Sequence, residues 1–325
     1  MANSQVSSNK LRPPFSQERS LLDPARVQQP VTVRLDGELL LSAEEPARYM
    51  DVELKTPKLD RIHRHLWLAG LPKPARPLHR QKLMDRTILV TEIPDEHLVW
   101  RESEIFIKPI PEFLLSYESW EDRLCRDEEL HQCACGFLLS YSWLVCYKSD
   151  FRVAKDVGLL PAEIEWEQWN RFVADFLAHI DLQTLQHVSK RYRYGELRLS
   201  RLHSIYRFMP STFSADNFVR GYMSGSTWYR AFFKRNFAWL LALFVYVSVV
   251  LSAMQVGLAT KQLEGNVHFH EASYGFAVMS VVIVVLSILV IFMLWAVLFW
   301  YHIYSTRQYS RNVEAKRTKE AEAKG

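Results

Sequence analysis

The chain has 325 residues, of which 49% are hydrophobic, and a formal net charge of +4, enough for one or two domains with cores of their own. So small a charge carries no argument for nucleic acid by itself, and a total of 11 glycines leaves little room for glycine-rich phosphate cradles. The slightly negative mean hydropathy conceals the layout, because the strongly hydrophobic sequence is gathered in the C-terminal third.

Residues 1–30 read as a disordered polar tail. Met1 to Ser20 carries Lys10, Arg12 and Arg19 but no apolar run, so no secretory signal is present. The first acid is Glu18, as a mitochondrial presequence would allow, yet Pro13 and Pro14 interrupt any amphipathic helix there. Val31 to Leu35 and Glu38 to Ser42 flank Asp36-Gly37, a two-residue hairpin signature. A short helix is expected near Leu59 to Leu68, followed by a proline-punctuated stretch from Pro72 to Pro77. Thr87 to Thr91, Leu98 to Trp100 and Ile105 to Lys108 then predict a small antiparallel meander, with turns at Pro94-Asp95 and Glu102-Ser103.

Helices follow. Asp127 suits the N-cap of a helix reaching about Tyr147. The uncharged run from Gln132 to Tyr147 is too short for a membrane span, so it is expected to be the central buried helix. Cys125, Cys133, Cys135 and Cys146 cluster around it. Cys133-Ala-Cys135 has the wrong spacing for a zinc site, and reduced structural thiols in a cytosolic domain fit better. His63, His65 and His79 do not converge on one metal from alternate helical positions. Trp166, Trp169, Phe172, Val173, Phe176, Leu177 and Ile180 recur at three and four, the apolar stripe of an amphipathic helix, and core packing explains it better than a ligand box.

The run from Lys190 to Arg207 contains Lys190, Arg191, Arg193, Arg198, Arg201 and Arg207 against Glu196 alone. Leu199, Leu202, Ile205, Tyr206 and Met209 form its apolar stripe. Aromatics interleaved with cations also suit nucleic acid, but a membrane helix begins about thirty residues later. The run reads as a solvated or internally paired face, as one facing anionic lipid headgroups, at up to ~1 kcal/mol per basic residue near the surface, or as a partner-binding surface. Lipid suits it better than nucleic acid. Arg230, Lys234 and Arg235 extend the same basic character to the membrane.

Phe237 to Thr260 has no charged side chain, and neither Asp, Glu, Lys nor Arg occurs from Ala272 to Thr306. A helix over the first run covers roughly 35 Å at ~1.5 Å per residue, enough for a ~30 Å hydrocarbon core. Trp239, Tyr274, Trp295, Trp300, Tyr301 and Tyr304 stand where interface anchors belong. Lys and Arg dominate both flanks, whereas the loop from Lys261 to Glu271 holds one Lys against Glu264 and Glu271. The positive-inside rule therefore puts both termini in the cytosol, without naming the membrane. Ser248, Ser252, Gln255 and Ala259 line one face of the first span, and Ser273, Ala277, Ser280 and Ser287 one face of the second. Membrane helices associate through such small and polar residues, so a hairpin packed along both stripes, with Gln255 bonded across, is expected.

The predicted fold is thus mainly α with a small antiparallel β portion (α+β), plus a C-terminal two-helix transmembrane hairpin. Its parts are the tail 1–30, the cytosolic domain 31–210, a basic-aromatic juxtamembrane segment 211–236, spans at 237–259 and 273–301 joined by 260–272, and a charged cytosolic tail 302–325.

Pro77-Leu-His-Arg-Gln81, Ile107-Lys-Pro-Ile-Pro111, Ser149-Asp-Phe-Arg-Val-Ala154, Tyr194-Gly-Glu-Leu-Arg-Leu-Ser-Arg-Leu202, Asn236-Phe-Ala-Trp239, Ala253-Met-Gln-Val-Gly-Leu-Ala259 and Ala272-Ser-Tyr-Gly-Phe276 resemble a fungal family of two-span membrane proteins whose shared region carries an unknown-function label. The resemblance covers roughly residues 58 to 305 and implies membrane residence and fungal origin, with no catalytic residues to carry over. The layout is also similar to that of CorA-type magnesium channels, but their Gly-Met-Asn is replaced by Ala253-Met254-Gln255.

No Gly-x-Ser-x-Gly, His-Glu-x-x-His or dinucleotide fingerprint occurs. The expected function is a membrane-tethered cytosolic interaction or regulatory module, without enzymatic activity or cofactor. Its partners are the bilayer with its anionic headgroups and a second copy or another protein, not nucleic acid. The alternative is an oligomeric two-span channel or transporter, and a lipid-directed enzyme finds no supporting residues.

Overall fold

A short loop can only join strands that lie side by side, and this separates what holds from what changes in the first half of the chain. The computed structural model describes residues 11–35, 38–209, 221–223, 227–260, 266–287, 289, 292–293 and 300, with the backbone alone at 227–240 and 243. The chain divides into two units, Met1–Ser224 and Gly225–Gly325, each described by itself.

In the first unit, β1 (Thr32–Leu35) and β2 (Glu38–Leu41) pair antiparallel, with Leu35 opposite Glu38; the turn residues at 36 and 37 lie outside the described residues. The next four strands, β3 (Thr87–Val90), β4 (Val99–Arg101), β5 (Glu104–Ile107) and β6 (Leu197–Arg198), form one sheet in the order β3-β5-β4-β6. β4 and β5 are the expected antiparallel hairpin, closed at Glu102, whose φ is 42°. The meander stops there, because β3 runs parallel to β5 and β6 parallel to β4. A two-residue turn makes neighbours of β4 and β5, whereas the longer Thr91-to-Leu98 connection, built around Pro94, lets β3 pair on the far side of β5.

The helices of this unit are α1 (Pro46–Leu54), α2 (Pro57–Arg61), α3 (Leu78–Leu83), α4 (Tyr117–Asp122), α5 (Glu128–Leu144), α6 (Lys148–Asp156), α7 (Trp166–His179) and α8 (Leu199–Phe208). The helix expected from Leu59 to Leu68 is broken at Ile62 into α2 and a 3-10 turn, His63–Leu68. α5 is the central helix. The Asp127 carboxylate accepts from the Leu130 N–H (3.0 Å) as its N-cap. Thirteen of its seventeen residues are buried, which makes it a core helix rather than a membrane span. α7 buries Trp169, Phe172 and Phe176 in the same core, the Trp169 ring edge-on to Tyr141 of α5, so the stripe packs in the core with Trp166 half-buried at its edge.

The N-terminal segment departs from the expected tail. Phe15 is 1% exposed, its ring edge-on to Phe172, Trp120 and Tyr117, and the Leu21 N–H reaches the Leu115 carbonyl (2.9 Å). A single aromatic among polar neighbours suffices, because burying one large ring stabilises by about 2–3 kcal/mol. A second, smaller cluster gathers Leu59, Ile62, Leu66, Val99, Leu197, Leu202, Ile205, Tyr206 and Tyr222.

The second unit contains α9 (Thr227–Leu258) and α10 (Val267–Ser287). α10 is long and apolar enough to cross a membrane, and Phe244–Leu258 is a shorter apolar stretch of α9. On α10 only Phe269, Ser273, Phe276, Ala277 and Ser280 are covered or half-covered; these recur at four, three, one and three, a single narrow stripe.

Candidate functional site

The chemistry-bearing groups of the first unit are held in three internal clusters. At the first, the Glu196 carboxylate accepts from Arg76 Nε (2.9 Å), Nη2 (2.8 Å) and backbone N (3.0 Å), from Gln81 Nε2 (2.8 Å) and from Arg86 Nη1 (2.8 Å). Burial pushes Glu196 up, but the bonds from Arg76 and Arg86 outweigh it and hold the carboxyl below its usual range. Arg86 and Arg198 also lie over the Trp100 ring, at 4.1 and 5.2 Å.

A second cluster contains a serine and a histidine, the pair from which nucleophilic catalysis is built. The Lys108 N–H donates to His97 Nδ1 (3.1 Å), which leaves the His97 proton on Nε2, donated to Ser140 Oγ (2.8 Å). Ser140 donates in turn to the Phe137 carbonyl (2.6 Å). Burial, with Arg191 and Lys108 nearby, pushes His97 well below its usual range, and the residue is 1% exposed. The serine proton therefore points away from a neutral histidine that no substrate reaches. This pair is a structural tie. Lys108 is itself buried, against Glu53 (2.8 Å).

The third cluster fastens the end of the unit. Asp95 Oδ1 accepts from the N–H groups of Lys58 and Leu59, each at 3.1 Å, capping α2 from a distant loop. The Tyr222 hydroxyl donates to the Asp95 carbonyl, the Tyr222 N–H to His203 Nδ1 (3.1 Å), and Lys58 Nζ to the Tyr222 carbonyl (3.4 Å). Burial pushes Asp95 up to about 6; burial, together with Arg207 and Arg101, pushes His203 down to about 4. Gly221, at φ +67°, turns the chain into this clasp.

The basic run divides. Arg191 is no surface residue: it is 1% exposed, and its guanidinium donates to the carbonyls of His97 (2.9 Å), Tyr194 (2.6 Å) and Gly195 (3.4 Å). A buried cation must be saturated with acceptors, and the backbone carbonyls around residue 194 supply them. Lys190, Arg193, Arg198 and Arg201 are exposed and Arg207 is half-buried. The side chains of Arg230, Lys234 and Arg235, on α9, lie outside the described residues.

On α10 the expected stripe is partly the covered one: Ser273 and Ser280 are buried, Ser287 is exposed. On α9 it is not. Ser248 is half-buried, but Ser252, Gln255 and Ala259 are exposed, and the more covered face is Val247, Leu251, Met254 and Leu258. Ser248, Ser280 and Ser287 donate to their own helices, to the carbonyls of Phe244, Phe276 and Ile283. A depression of about 410 Å³ is lined by Val249, Val250, Ala253, Met254 and Gly257 of α9 and by Phe269 of α10.

Reasoning from residue types did not single out Trp67 and Leu71, which are exposed. It also missed the Asp95–Tyr222 clasp, which no local spacing signals. No disulfide joins the four cysteines, of which Cys133 and Cys135 lie in the core, and burial pushes Cys133 up to about 12. Among the described residues no three His, Cys, Asp or Glu side chains gather as a metal site.

The first unit is thus a mainly helical α+β domain with buried polar ties, and the second carries apolar helices. The chain belongs to a family of unknown function, DUF6601, which it matches over residues 46–284. No curated protein and no solved structure matches it.

Proposed function

We propose that the protein is a two-span, multi-pass membrane protein of the fungal kind it resembles, whose cytosolic domain is a tethered interaction or regulatory module. The observation that carries this is α10. Val278, Val281, Val282, Ile283, Val284, Val285, Leu286 and Leu289 are 43–63% exposed, all around the helix except its one covered stripe. Leaving such side chains in water costs about 25 cal/mol per Å², and a bilayer removes the cost. The first run reaches a spanning length in the sequence, and the depression lined by Phe269 of α10 together with Val249, Val250, Ala253, Met254 and Gly257 of α9 supports an antiparallel hairpin. Both termini are then cytosolic. Tags at the two ends should be removed by protease added outside sealed membranes of cytosolic-side-out orientation. Protection of either tag would overturn the topology.

One observation favours the channel reading. Ser252 and Gln255 are exposed, and a polar stripe turned outward in hydrocarbon is costly unless another polar surface meets it. Such a surface is available on a second copy. A native mass in detergent decides, since one hairpin cannot enclose a pore: a monomer discards the channel, and a symmetric oligomer with Gln255 copies crosslinking to one another supports it.

A further inference from the structure

Two stretches far apart in sequence run side by side in the first unit. The Gly195 N–H donates to the Lys73 carbonyl (3.0 Å), the Arg198 N–H to the Ala69 carbonyl (2.8 Å), and Arg201 Nη1 to the Leu68 carbonyl (3.0 Å); His63 Nε2 bonds the Lys190 carbonyl (3.2 Å). Along them Arg64, Lys73, Lys190, Arg193, Arg198 and Arg201 are all exposed, and none makes an ion pair with an acid among the described residues. The carboxylates of the same stretches are occupied elsewhere, Glu196 by Arg76 and Arg86, Asp60 by the Thr56 hydroxyl (3.4 Å). Set among these cations are Trp67 and Leu71, 60% and 62% exposed, followed by Pro72 and Pro74.

We infer that this face docks on the anionic surface of the membrane, with Trp67 and Leu71 entering the headgroup layer and the six cations spread above it. Tryptophan is the side chain that favours this layer, because its ring is apolar and its N–H still finds partners. Lys and Arg without an acidic partner add attraction that falls off within a Debye length of a few ångströms to ~8 Å. The occupant follows from charge and from the chain itself: the face is positive, and the same chain continues from α8 into the apolar helices α9 and α10. A neutral or acidic protein surface would meet the tryptophan without needing the tether. The inference rests on the membrane-tethered reading and adds which surface of the domain meets lipid.

The test uses the full chain reconstituted in vesicles, with Cys146, the exposed cysteine, replaced by serine (C146S). A polarity-sensitive fluorophore is attached at L71C or, as a control on the exposed face of α7, at R171C. In phosphatidylserine-containing vesicles the probe at position 71 should shift to the blue and be quenched by lipid-borne nitroxides, while the probe at 171 stays in water. Pure phosphatidylcholine, high salt, or the triple change K190E/R193E/R201E should each release it, the last by roughly a hundredfold in the docked-to-free ratio. If the protein resists carbonate extraction but the two probes report the same aqueous environment, the docking face is wrong and the tether stands. If quenching at 71 is unchanged in neutral vesicles, the electrostatic contact is wrong. If carbonate extracts the protein, the tether itself fails and this inference with it.

Discussion

Replacing Glu196 by alanine should be among the most damaging single changes in the domain, and the structure sets the size. The carboxylate is 7% exposed in its side chain, and so is Arg86, whereas Arg76 is 39% exposed. Without Glu196, Arg86 keeps the Gln81 Oε1 bond (2.8 Å) and its place over Trp100 but loses its ion-pair partner in a site closed to water. Breaking a buried pair by removing one member costs about 3–5 kcal/mol. Arg76 can return to solvent, so its own truncation should cost no more than about 1 kcal/mol. At roughly 2–4 °C per kcal/mol for a domain of this size, E196A should melt on the order of 10 °C below the wild type and R76A only slightly below it. Tryptophan fluorescence of the full chain in detergent, followed on heating, reads both. The depressed Glu196 pKa adds a sign: its stabilisation is present above the ordinary value of 4.5 and is lost as pH falls through the folded value, so the two melting curves should converge in acid. An E196A variant that melts no lower than R76A at neutral pH would refute the account of the cluster.

Four further outcomes follow from packing and burial. A Cβ at Gly136 would overlap the Tyr192 ring, so G136A should lower the urea midpoint by an amount equivalent to about 1–3 kcal/mol, the usual cost of overpacking. Asp95 keeps its proton to about 6 when folded but to about 3.9 when unfolded, so its contribution to stability falls as pH rises between those values; D95N should remove that slope. His203, depressed to about 4, acts in the opposite sense, its contribution fading as pH falls from about 6.5, and H203Q should abolish it; both are read as urea midpoints against pH. Y222F, which deletes the hydroxyl bond to the Asp95 carbonyl, should cost about 1 kcal/mol and speed hydrogen exchange at the Leu59 amide.

Much of the domain could be read from local pattern because its long helices announce themselves. Asp127 before an uncharged run predicts α5, and the period of Trp166, Trp169, Phe172 and Phe176 predicts α7 with its buried face. Pattern failed where a contact joins distant segments. Phe15 is unremarkable among Pro13, Pro14 and Ser16, and only the aromatic pocket of Tyr117, Trp120 and Phe172 gives it a place. Arg191 reads as one more cation in a basic run, and nothing local tells it from Arg193 two residues on; burial among carbonyls does. The segments that carry the family resemblance are scattered along the sequence. Those of the first unit include ends of buried ties: His79 meets Asp150 (2.8 Å), Gln81 meets Glu196, and the Lys108 N–H donates to His97.

The apolar helices teach the complementary point about polar residues. Spacing selected Ser248, Ser252 and Gln255 as the packing face of α9 on the argument that a hydroxyl in hydrocarbon needs a partner on another helix. A serine satisfies that need within its own helix, and Ser248, Ser280 and Ser287 all donate to the carbonyl four residues back. The hydroxyl then exerts little pull on helix rotation, and close packing is left to decide. On α10 the small side chains at 273, 277 and 280 coincide with the covered stripe flanked by Phe269 and Phe276, so steric reasoning and polarity agree. On α9 they diverge, and the face with Val247, Leu251, Met254 and Leu258 is the more covered. Gln255 is different from the serines, because its amide is too large to be satisfied by one carbonyl of its own helix. Its outward position is therefore a polar feature that self-bonding does not explain, and it is there that the monomer and oligomer readings part.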